Sequence, residues 1–285
     1  MAPFRIAVLE CDSPPYPDFL ANYGSLTQVF RLLFSRALPL LAAPTPYSSV
    51  VLTRHHIVYP RDPTARLPED DSSPESTYPD LDAVDALLIS GSQYDAMADA
   101  PWVLRLVEFV GKAVASGKVR IMGVCFGHQI LARALGSEVR VAPGGREAAV
   151  DIVELNDEGK RVFGLEKMVS RESFIVNRPT SPSSNQTQPQ RIQHMHRDEV
   201  ASLPEGAILL GYSAKCPIQA YYKPGHYIAV QGHPEIPSDI MREFLTVRYS
   251  LGRFTKEFYT EAMTRADLEN DGVHIGKVFL EFAMQ

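Results

Sequence analysis

Cysteine is scarce in this chain, and so is any surplus of positive charge. Three cysteines among 285 residues, Cys11, Cys125 and Cys216, are too few and too scattered for a disulfide framework. None has the Cys-x-x-Cys spacing of a zinc site, so free thiols are expected. The 28 Lys and Arg residues are outnumbered by 34 Asp and Glu, for a formal net charge of -6. With no basic stripe to follow a phosphate backbone, nucleic acid is not an expected partner. Long apolar runs are missing as well. The most apolar stretch, VFRLLFSRALPLLAAP, is broken by Arg31, Arg36 and Pro39 and cannot span a bilayer. The opening MAPFRIAVLECD places Arg5, Glu10 and Asp12 where a secretory leader needs an apolar run. A cytoplasmic protein that meets no membrane is the expectation.

Apolar material is ample: 45% of the residues are hydrophobic and 22% charged, enough for one large core, so a single domain over residues 1–285 is expected. FRIAVLE reads as a strand, and residues 23–38 repeat apolar side chains at helical spacing through Leu26, Val29, Phe30 and Leu33. A strand is read at 50–59 and another at 83–90. Between them, residues 60–82 are rich in Pro, Asp, Glu and Ser and read as a surface excursion. The helix at 101–117 opens on Pro101 and closes on Gly117. This alternation predicts an α/β fold with a mostly parallel sheet flanked by helices, whose ligands gather at the carboxyl ends of the strands. The second half is richer in short strands, among them EVRVA, AAVDIVEL, SFIVN, RIQHMH, AILLGYSA, IQAYYK and YIAVQGHPE. Residues 178–191, rich in Pro, Ser and Gln, read as a second insertion, and 238–285 as a helical segment packing back on the sheet.

The stretch IMGVCFGHQILARALG changes from strand to helix at Cys125. Gly123-Val124-Cys125-Phe126-Gly127 is the cysteine form of the nucleophile elbow, a sharp turn whose glycines let neighbouring backbone approach. A helix start behind the sulfur favours the thiolate. By itself the motif fits a buried structural cysteine as well as a nucleophile. A nucleophile also needs a base and a group to orient it. Pro234 biases His233 towards extended backbone, which turns His233 and Glu235 to one side. Two rivals exist. His128 follows on the elbow helix, at a spacing that carries it away from the sulfur and with no carboxylate close in sequence. His194 and His196 share a strand face, with Asp198 beyond, and read as a second base-and-orienter pair, a metal pair or a lining of the site. No third metal ligand is apparent in the sequence, so no metal and no cofactor are expected.

Together, GVCFGHQILARALG, LLISGSQYDA, HMHRDEVASLPEGAILLGYS and GHPE resemble the class I glutamine amidotransferase family, in the family's order over about residues 84–236. The likeness is greatest to stand-alone members related to the GMP synthetase amidotransferase domain and to γ-glutamyl peptidases. It implies a flavodoxin-like fold with Cys125 as nucleophile, His233 as base and then acid, and Glu235 as orienter. It further implies oxyanion donors at Phe126 and Ser92, beside Gly91, and Gln129 as a holder of the substrate's glutamyl end. Departures fall at Gly91-Ser92-Gln93-Tyr94, where Tyr94 adds bulk, and at Arg197, which separates His196 from Asp198. The arginine is read as reaching a substrate carboxylate or as solvated. The implied activity is cleavage of a γ-glutamyl amide through a glutamyl thioester. Its substrate is glutamine, with ammonia passed to a separate acceptor enzyme, or a small γ-glutamyl peptide such as a glutathione conjugate. The alternative from another class is a non-catalytic scaffold of the same fold.

Overall fold

Strand β1 (Phe4–Glu10) sits between two parallel partners, β2 (Val50–His56) and β3 (Ala86–Ile89). A computed structural model describes residues 1–12, 14, 16–41, 45, 47–58, 77–164 and 190–285. The strand expected at 173–177 lies outside these. So does most of the two expected insertions: of 60–82 only 77–82 is described, and residues 190–191 of the second belong to a strand. Further along the sheet, β3 pairs with β4 (Arg120–Val124) and β4 with β11 (Tyr227–Val230), both in parallel. Antiparallel pairing then takes over through β10 (Ala220–Lys223), β9 (Ile208–Tyr212), β6 (Glu147–Leu155) and β7 (Gln190–His196), giving the order β2-β1-β3-β4-β11-β10-β9-β6-β7. A separate antiparallel pair joins β5 (Val139–Val141) to β8 (Asp198–Val200). The parallel half comes chiefly from the first part of the chain and the antiparallel half from the second, as the strand–helix alternation and the later cluster of short strands predict.

Helices cover both faces because the parallel strands are apolar on both sides. On one face α2 (Leu26–Ala37) and α8 (Gly272–Ala283) pack Phe30, Leu33 and Phe34 against Ile275, Val278 and Phe279. On the other, α3 (Pro101–Ser116) and α4 (Phe126–Ala134) bury Trp102, Val103, Leu106, Ile130 and Leu131. A third apolar cluster joins α1 (Pro17–Asn22), α6 (Ser238–Ser250) and α7 (Lys256–Arg265) over β6 and β7. The helix starts follow capping rules: Ser25 accepts from the Gln28 N–H, Thr255 from that of Phe258, and Pro101 stands at the first position of α3. The helix expected at 23–38 begins three residues later because Ser25 caps it, and α1 precedes it as a separate turn. Helix α5 (Asp157–Phe163), capped by Asn156, was not read from the sequence. No helix among the described residues is long and apolar enough to cross a membrane.

In-register pairing brings Leu9, Ile89, Gly123 and their neighbours on β11 to one sheet edge. The residues that follow them, Cys11, Gly91, Cys125 and His233, therefore share that edge.

Candidate active site

Cys125 occupies the corner between β4 and α4 with φ 51 and ψ −104, a backbone conformation that side-chain-bearing residues rarely adopt. Its N–H is tied to the Val230 carbonyl at 2.9 Å, which locks the corner to β11. The flanking glycines are there for space. A Cβ on Gly127 would lie 2.2 Å from the Ile89 carbonyl oxygen, and one on Gly123 would lie 2.8 Å from the Gly127 carbonyl oxygen. As N-cap of α4, Cys125 stands at the positive end of the helix dipole.

His233 and Glu235 follow β11. The His233 N–H donates to the Gln193 carbonyl at 2.7 Å, so β7 fixes the backbone of the imidazole. Its Nδ1 lies 2.8 Å from Glu235 Oε1, the contact that the extended His-Pro-Glu spacing predicts, and both residues are buried. Burial works to lower the His233 pKa, but Cys125 and Glu235, which face the imidazole and hydrogen-bond it, outweigh burial and push it up to about 10. The loop after β3 closes the group: a Cβ on Gly91 would fall 2.6 Å from His233 Cε1 and 3.6 Å from Cys125 Cβ. Nucleophile-type thiol, imidazole, carboxylate and loop thus meet at one place.

The other residues singled out by sequence have partners of their own. Ser92 Oγ accepts from the Tyr94 N–H at 3.0 Å, and the next residue, Gln93, is held through its N–H and side-chain amide by Asp12. The Tyr94 ring meets Trp102 edge-on at 5.4 Å, and Trp102 stacks on Phe126 at 5.8 Å, so an aromatic row braces the loop against the elbow. Gln129 donates its amide to the Asp198 carbonyl and to Gln231 Oε1, each at 3.0 Å. The Arg197 side chain is 41% exposed, and it lies 4.0 Å from the Asp95 carboxylate. It forks onto the Asp198 carboxylate at 2.7 and 3.1 Å, because the chain bends at Arg197 between β7 and β8.

The rival histidines have other surroundings. His128 is fully buried beside Tyr221, and burial pushes its imidazole down to about 3. His194 is buried and pushed down to about 3 in the same way. His196 faces Glu147, which the sequence reading missed: Nε2 and Oε2 are 3.0 Å apart. Burial acts to raise the Glu147 carboxyl, but His196, His194 and Ser213 hold it at about 2. The pairing of Glu147 opposite His196 across β6 and β7 depends on long-range strand register, which no local pattern announces.

Comparison with known proteins gives one consistent result. Residues 54–246 match the family model described as glutamine amidotransferase class-I. A glutamine amidotransferase-like protein of Schizosaccharomyces pombe is 27% identical over 99% of both chains. Gamma-glutamyl peptidase 4 of Arabidopsis thaliana is 31% identical over 67% of this chain and 69% of its own. Among solved structures, a glutamine amidotransferase from Thermotoga maritima superposes with a TM-score of 0.62 over 99% of this chain and 98% of that one, at 15% identity.

Proposed function

The chain belongs to the class-I glutamine amidotransferase family, and we propose that it hydrolyses γ-glutamyl amide bonds with Cys125, His233 and Glu235 as catalytic triad. The observation that carries this reading is the meeting of a thiol held at φ 51 on a helix start with an imidazole whose Nδ1 is 2.8 Å from a buried carboxylate.

The steps follow from the groups present. The Cys125 thiolate attacks the γ-carbonyl carbon, and the carbonyl π pair moves onto oxygen. The N–H groups of Phe126 and Ser92 receive that oxyanion, each donor contributing about 3 kcal/mol to the transition state. Because His233 Nδ1 faces Glu235, the proton passes from Nε2 to the departing nitrogen as the C–N bond breaks, leaving a glutamyl thioester. His233 then takes a proton from water, whose oxygen attacks the thioester, and glutamate leaves as the sulfur recovers its electron pair. Gly91 keeps the imidazole in place by offering no side chain. Tyr94, Gln129, Arg197 and Asp198 shape the rim where the glutamyl end and the leaving amine are held.

The amine is the open variable of the site. The resemblance to a γ-glutamyl peptidase supports a small γ-glutamyl peptide, and the family itself supports glutamine with ammonia delivered to a separate enzyme. Glutamine, glutathione and glutathione conjugates assayed without any partner protein separate these substrates. Release of glutamate is expected from at least one of them and is expected to vanish in Cys125→Ala. Turnover retained by Cys125→Ala overturns the mechanism, and no turnover of any member by the wild type favours a scaffold role.

A further inference from the structure

Glu147, His194 and His196 form a second buried group of titratable side chains. Strand register sets Glu147 opposite His196 and Ala149 opposite His194, so the three converge on one side of the β6–β7 pair. One ligand atom from each lies within 4.8 Å of the others, and all three residues are buried. Their polar atoms are left in a way that hydrogen bonding does not explain. Both ring nitrogens of His194 lack a partner although the residue has no exposure, and His196 Nε2 lacks one too. His196 Nε2 and Glu147 Oε2 are 3.0 Å apart, yet they are not aligned as a hydrogen bond. Buried polar atoms are almost always satisfied, so unpartnered nitrogens beside a carboxylate indicate lone pairs converging on a shared cation.

The surroundings fit such a ligand set. His196 Nδ1 is 3.2 Å from the Asp198 carbonyl, and the tautomer that donates its Nδ1–H there keeps the Nε2 lone pair for the group. The Glu147 carboxylate accepts from Ser213 Oγ at 2.8 Å and from Gln219 Nε2 at 2.7 Å, which orients it. Two imidazoles and one carboxylate suit a zinc-type ion, whose bonds of about 2.0–2.2 Å draw the three atoms together by small side-chain rotations. The same donors suit magnesium or calcium poorly, since those ions prefer oxygen alone.

We propose that Glu147, His194 and His196 bind one zinc-type divalent transition-metal ion that pins β6 to β7. The neighbouring Gln193 carbonyl holds the His233 N–H at 2.7 Å, so the pin stiffens the strand that positions the imidazole. Cys125 is not one of the three ligands, and the site's existence does not depend on the reaction proposed above.

Metal-stripped full-length protein titrated with Co2+, with the visible spectrum recorded and Zn2+ added in competition, tests this directly. One ion per chain is expected in the wild type and in Cys125→Ser, with nitrogen and oxygen ligation and no thiolate-to-cobalt charge-transfer band. His194→Gln is expected to lose this uptake, and Ser213→Ala, which removes a donor to Glu147 along with the acceptor of the Lys215 and Cys216 N–H groups, to weaken it about tenfold. Absence of stoichiometric uptake by wild type and Cys125→Ser overturns the proposal, whether or not the His194 variant folds. Uptake that survives in folded His194→Gln and disappears in Cys125→Ser overturns it as well, by assigning the metal to the thiol and His233.

Discussion

At the scale of single residues, the three cysteines separate by environment. Cys11 and Cys216 are buried under the sheet edge and beside β10, and burial pushes both thiols up, that of Cys216 to about 12. Cys125 alone faces an imidazole and a helix start, which is why one thiol of three is a candidate nucleophile. His233 carries the pH dependence. Its folded pKa of about 10 lies above its ordinary value of 6.5, so the stabilisation from its charged form is complete below about pH 6.5 and is lost as pH rises through about 10. In the proposed reaction, the proton that His233 delivers to the leaving nitrogen is lost over the same alkaline range. In kcat/KM for γ-glutamyl substrate, the alkaline limb is therefore expected near pH 10. Glu235→Gln removes one of the charges that sustain the imidazolium and is expected to move that limb to lower pH, besides lowering the rate. A pH–rate profile of the two proteins checks this, and an unmoved limb rules out His233 as the titrating group.

At the scale of elements, Glu10 shows how the end of a strand organises its neighbours. Its buried carboxylate accepts from the Thr27 N–H at 2.7 Å at the start of α2 and from Arg54 Nε at 2.6 Å on β2, tying two elements to β1. Glu10→Ala is expected to cost about 2 kcal/mol, the value of a hydrogen bond to a charged group, because Arg54 can turn to solvent while the Thr27 N–H loses its acceptor. Urea denaturation measures it, and a change below about 0.5 kcal/mol refutes the capping role. Elements of this kind were legible to different depths. The Cys125 elbow was readable because two glycines, a strand period and a helix period lie within a few residues. The His233–Glu235 contact was readable because alternation along an extended segment sets it. The Glu147–His196 pairing was not, since it depends on how β6 registers against β7. Ala149 adds to that difficulty: its φ of 62 breaks the alternation of β6, so four successive residues from Glu147 are buried. The Arg197 fork escaped the sequence for a similar reason, because adjacent residues share a carboxylate only where the strand bends.

At the scale of the whole molecule, α8 joins the apolar core to the site. Its Ile275, Val278, Phe279, Leu280 and Phe282 are buried against α2 and the sheet. At its first turn Gly272 touches the segment that carries the imidazole, since a Cβ there would lie 2.3 Å from the Pro234 carbonyl oxygen. Full burial of five such side chains contributes about 7–15 kcal/mol, which is the size of the whole stability of a typical domain, about 5–15 kcal/mol. Ending the chain after residue 271 is therefore expected to abolish cooperative unfolding rather than to lower the midpoint slightly. A milder change separates support of the core from support of the site. Gly272→Ala leaves the apolar face of α8 intact and drives a methyl group into the Pro234 carbonyl, so the His-Pro-Glu segment must shift. Its expected signature is a loss of kcat of tenfold or more, since small misplacement of catalytic groups is costly, with most of the cooperative unfolding transition preserved. Thermal unfolding recorded beside steady-state turnover distinguishes the two effects. Full activity in Gly272→Ala would show that α8 serves the core alone and that the imidazole owes its position to β7 and Glu235.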